Sequence, residues 1–70
     1  MSFKLYNENN STIVEYLEKP RFRSYFNDDI FVCNMWIDPM PQDKTIAKKL
    51  VKDSIDFYQE KTGIVVMYQL

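Results

Sequence analysis

The sequence predicts a small α/β domain: a three-stranded sheet with two helices packed on it, in the order β-α-β-α-β. A small α+β arrangement is the alternative. Three observations carry this reading. Residues 43–62 repeat apolar positions at three- and four-residue steps, the period of a helix with one buried face. Residues 30–37, IFVCNMWI, are apolar on both alternating faces except for Asn34, which reads as a buried central strand. Residues 64–70 are rich in β-branched side chains and read as a strand. The helix between the last two strands is long enough for a right-handed crossover, so parallel pairing is expected.

Taken in order, Phe3-Lys4-Leu5-Tyr6 alternates and reads as a short strand. Asn7-Glu8-Asn9-Asn10 reads as a turn, since Asn tolerates the left-handed backbone that glycine usually supplies. Residues 11–19 admit two readings. Thr12 followed by Glu15 fits a capping box, with Ile13, Val14 and Leu17 as a helical stripe ended before Pro20. The β-branched run Thr12-Ile13-Val14 instead favours a hairpin back onto residues 3–6. The helix is taken as the first of the two. Pro20 also suits the first position of a further helical turn, which would put Phe22, Tyr25 and Phe26 on one face. Asn27-Asp28-Asp29 breaks that segment, and Asp38-Pro39-Met40-Pro41 ends the 30–37 strand.

The second helix, 43–62, is the longest element. Asp43 is its expected N-cap and Gly63 its expected left-handed C-terminal residue. Its buried face is expected to hold Ile46, Ala47, Leu50, Val51, Ile55 and Tyr58.

Composition narrows function mainly by exclusion. The 70 residues make one domain, 1–70, with 9 basic and 10 acidic side chains. There is no histidine, and there is one cysteine and one glycine. A Ser-His-Asp or Cys-His nucleophile therefore lacks its base. A closed zinc site lacks ligands, and an internal disulfide lacks its second thiol. Glycine-rich phosphate loops need several glycines. No cofactor and no metal is implied. Asp28 and Asp29 offer oxygen ligands for a divalent cation but read as a turn. Nearly balanced charge argues against both a DNA mimic and a general nucleic-acid coat. No stretch resembles a leader or a membrane span, so a cytoplasmic location is expected. The prominence of Phe, Tyr, Met, Ile, Asn and Lys fits AT-rich coding DNA, as in many low-GC bacteria and their phages.

A chain this short buries only about 60% of its extended surface. Help has to come from aromatic packing or from association, and five Phe, five Tyr and Trp36 are available. Cys33 and Trp36, on opposite faces of their strand, and Met35, Met40 and Met67 are expected to fill the core.

The expected function is a small non-enzymatic protein-binding module: an inhibitor, adaptor or regulator acting by occlusion, of the kind phages aim at host machinery. A weak nucleic-acid binder using the basic-aromatic segment 19–26 is the alternative, and a carboxylate- or Lys-based enzyme is the third reading. Candidate partner-binding residues are Arg21, Phe22, Arg23 and Tyr25, whose forks and rings suit desolvated contacts, then Lys44, Lys48 and Lys52, and finally Tyr68. The lysines begin a four-residue stripe continued by Asp56 and Glu60. A second copy laid antiparallel on that helix, or pairing with the uncharged strand 64–70, would give a homo-oligomer.

Overall fold

A computed structural model describes residues 2–68. It holds a four-stranded antiparallel sheet in the order β1-β2-β3-β4, comprising β1 (Phe3–Glu8), β2 (Ser11–Tyr16), β3 (Phe22–Asn27) and β4 (Ile30–Trp36), followed by one helix, α1 (Lys44–Thr62). The fold is α+β. The expected three strands and two helices are corrected at residues 11–26.

The first correction is β2. Residues 11–16 pair with β1 in a hairpin, Phe3 opposite Tyr16 and Glu8 opposite Ser11. Asn9 and Asn10 take positive φ of 51° and 66°, the left-handed pair that a tight two-residue hairpin turn requires. That turn chemistry and the β-branched run outweigh the Thr12–Glu15 capping pattern, and Glu15 makes side-chain contacts on the sheet instead.

The second correction is β3. Phe22, Ser24 and Phe26 are fully buried while Arg23 and Tyr25 are not, a period of two rather than of three and four. The segment pairs with both β2 and β4. Asp28, with φ 52°, turns β3 into β4.

One face of the sheet receives α1. Phe3, Tyr16, Phe22 and Trp36 lie in register across all four strands. Their rings follow one another at 5.1, 5.6 and 4.6 Å between centroids. Phe26 stacks on Tyr58 of the helix at 4.0 Å, nearly parallel. Aromatic pairs of this kind add to simple burial. Val51, Ile55 and Phe57 complete the apolar contact from the helix side. Ile46, expected on the buried face, is exposed, and the helix seats Ser54 against Ser24 in its interior, Oγ to Oγ at 2.7 Å. Asp43 caps α1 through Thr45 N–H, and Gly63 closes it at φ 74° with its N–H on Gln59 O, both as the sequence predicts.

The third correction concerns β4. It is an edge strand, not a central one, and Ile30, Val32, Cys33 and Met35 are exposed. Met40 and Met67 are exposed as well, so these methionines do not fill the core. A bulge at Val32 shifts the register, with Tyr25 opposite Cys33 and Phe26 opposite Phe31. The expected last strand contributes a single parallel bridge, Ile30 to Met67, with Met67 N–H donating to Asp29 O at 3.1 Å. The parallel sense is the expected one. Val66 is buried in the core, and residues 69–70 of that strand lie outside the described residues.

Candidate functional site

Two surfaces present chemistry, one on each side of the sheet. The helix-free face carries Lys4, Tyr6, Ile13, Glu15, Arg23, Tyr25, Cys33 and Met35 by alternation from the register. At its centre Glu15 is only 5% exposed. Tyr6 Oη donates to its Oε1 at 2.8 Å, Arg23 Nε to the same oxygen at 3.2 Å, and Arg21 Nη2 to Oε2. Burial alone would raise the Glu15 carboxyl; these three hydrogen bonds outweigh it and hold the group below its ordinary value of 4.5. Burial, then the bond to Glu15, pushes the Tyr6 phenol up from 10.0. Ile13, 1% exposed on this same face, sits opposite Tyr6 and Tyr25 in the neighbouring strands. Long polar side chains thus roof a face that no helix covers.

The second surface is a groove on the helix side. α1 packs on β1, β2 and β3. The inner side chains of β4 are left beside the first half of the helix. Phe31, Asn34, Trp36, Met40, Lys44, Ala47, Lys48 and Val51 line a groove of about 260 Å³. Its walls are aromatic and aliphatic. Its polar groups are one amide and two ammonium groups, and it carries no carboxylate.

The sequence-predicted residues divide between these surfaces. Arg21, Arg23 and Tyr25 come together on the open face, but both arginines are engaged by Glu15. Phe22 is 0% exposed in the core, so it offers nothing to a partner. Lys44 and Lys48 reach the groove, whereas Lys52 lies further along the exposed stripe. Tyr68 is half-buried and packs against the core. Sequence reading missed Glu15, Phe31, Trp36 and Met40 as site residues. For Glu15 the signal was there: a charged residue inside a strand-forming run, with two arginines close in sequence. For the groove there was none, because it depends on where α1 comes to rest across the sheet.

Among the described residues no group of three or more His, Cys, Asp or Glu is placed to hold a metal ion. No helix among them is long and apolar enough to cross a membrane. No protein family, curated protein or solved structure matches the chain.

Proposed function

We propose that the protein is a small non-enzymatic protein-binding module, an inhibitor, adaptor or regulator that works by covering a site on another protein. The docking surface we assign to it is the groove between β4 and the first half of α1. The observation that carries this is the position of the helix: it packs on β1–β3 and leaves Phe31 and Trp36 of β4 beside an open, mostly apolar groove. Aromatic side chains in such a setting supply most of the energy of a protein contact once water is expelled. Lys44 and Lys48 in the lining favour a partner segment with an apolar face and an acidic flank. The exposed, unpaired thiol of Cys33 fits a reducing compartment such as the cytoplasm.

The nucleic-acid reading of residues 19–26 loses support because its two arginines already bind Glu15. The enzyme reading finds no acid–base pair in the groove.

The test is affinity capture from lysate of the cells that make the protein, run in parallel with Met40→Asp, Lys48→Glu and the double variant Arg21→Gln/Arg23→Gln. A captured protein that survives nuclease treatment, weakens at least about tenfold with the first two variants and binds the double variant undiminished supports the groove. Retention of nucleic acid alone, released by salt and lost with the double variant, overturns the reading.

A further inference from the structure

The sheet has two edges, and they are built differently. The β1 edge carries Lys4 and Glu8, charges of the kind that natural edge strands use against unwanted pairing. The β4 edge, Ile-Phe-Val-Cys-Asn-Met-Trp, carries none. Its beginning is covered by the bridge from Met67 to Ile30 and twisted by the bulge at Val32. Its far end is stopped by Pro39, which has no N–H to offer. Between these lies a regular stretch, residues 33–36, that no other described strand covers.

The polarity of that stretch follows from one bond. Ile37 N–H donates to Arg21 O at 3.0 Å, toward β3. Alternation then turns the main-chain N–H and C=O of Trp36 and Asn34 outward, to the free edge.

We propose that this edge pairs antiparallel with the same edge of a second copy, about a two-fold axis at Met35, which lies between the two outward-facing residues Asn34 and Trp36. Asn34 then stands opposite Trp36 of the second copy, and Trp36 opposite its Asn34. Each pair exchanges both main-chain bonds. On the helix-free face Met35 meets Met35. β4 carries no charged side chain, so no like charges are opposed. The match is self-complementary, as a two-fold contact requires. The product is one continuous eight-stranded sheet. In it the two helices, each resting chiefly on β2, lie five strand spacings apart, roughly 24 Å at about 4.8 Å each. The two grooves become the walls of a single trough. The contact uses the main chain of Asn34 and Trp36, whose side chains line the groove, but it is read by self-association, whereas the proposed function is read by capture of a different protein.

A single strand pair is smaller than a standard interface, so association should depend on concentration. Sedimentation of the whole chain should show an apparent mass rising from 8.5 kDa toward twice that. Met35→Lys, at a position 46% exposed, should stay monomeric over the same range, while its far-ultraviolet spectrum and its melting temperature match the wild type at a dilution where both chains are monomeric. A second variant, Met35→Cys with Cys33→Ser, should cross-link in air to a double-mass species. Residues directly opposite in a non-hydrogen-bonded pair have Cα atoms about 4.5 Å apart, within disulfide reach. Cys33 in the wild type, displaced from its own copy by four residues, should cross-link at least about tenfold more slowly. A wild type that is monomeric throughout, a Met35→Lys chain that associates as the wild type does, or equal cross-linking at positions 33 and 35 would each overturn the proposal.

Discussion

β2 carries three hydroxyl side chains and a carboxylate, yet it buries Ile13, Val14 and Glu15 in succession. β4 carries no charge, yet it leaves Ile30, Val32, Cys33 and Met35 exposed. Ranking the two by hydropathy would reverse them. Position in the sheet decides instead. β2 has a strand on each side, the helix over one face and a roof of Tyr6, Tyr25 and two arginines over the other. β4 has β3 on one side, one bridging residue among the described ones on the other, and only part of one face covered. Burial in a single-sheet domain belongs to the neighbourhood of a strand more than to its composition. A charged group can therefore sit inside when its neighbours supply donors.

The contrast breaks first if the interior of the covered strands proves cheap to hollow out. Phe26→Ala removes the ring stacked on Tyr58 and should cost about 3–5 kcal/mol, a large share of the stability of so small a domain. Met35→Ala on β4 should stay within about 0.5 kcal/mol of the wild type. Urea unfolding followed by tryptophan fluorescence measures both, and similar costs would erase the distinction.

Glu15 sharpens it. Glu15→Gln keeps the shape but weakens three charge-assisted bonds, and a loss of about 2 kcal/mol is expected. The acid limb carries the same information. A carboxyl held below its unfolded value of 4.5 contributes stability that is fully present above that value and fades as the pH falls through its folded value. Stability should decline on acidification below about pH 5, and less steeply in Glu15→Gln. Identical pH profiles for the two chains would remove Glu15 from its assigned role.

The smallest effect concerns the helix contact. Ser54 Oγ donates to Val51 O at 2.6 Å, so the proton between Ser24 and Ser54 belongs to Ser24. Ser54→Ala strands the buried Ser24 hydroxyl and should cost about 1–2 kcal/mol. Ser24→Ala leaves Ser54 satisfied and should cost less than about 1 kcal/mol. Equal costs would contradict that direction of donation.

Residues differ in how much of this they announce. Asp43, the helix over 44–62 and Gly63 follow from local chemistry, since a cap and an apolar period need no distant partner. The turn is readable for the same reason, although the expected Asn7–Asn10 span narrows to Asn9-Asn10 because Asn7 and Glu8 pair with Thr12 and Ser11 in the hairpin. The Thr12–Glu15 spacing misleads because a capping box and a buried strand carboxylate look identical until the register places Tyr6 and Arg23 beside Glu15. Phe22, Tyr25 and Phe26 fit helical spacing and alternate burial equally well, and only pairing on both sides selects the strand. The edge position of β4 and the groove beside it are properties of strand order and helix placement, which no local pattern encodes.

Element order has one more consequence. All four strands precede the helix, and each pairs with its neighbour in sequence, so the sheet can assemble before α1 has left the ribosome. Until residues 47–58 emerge, Phe22, Phe26 and Val14 have no cover on that side. Newly made chains therefore pass through an interval in which a greasy half-domain is exposed to the cell, when chaperone capture or clumping competes with completion. The delay between the emergence of residue 36 and that of residue 58 sets how long that interval lasts.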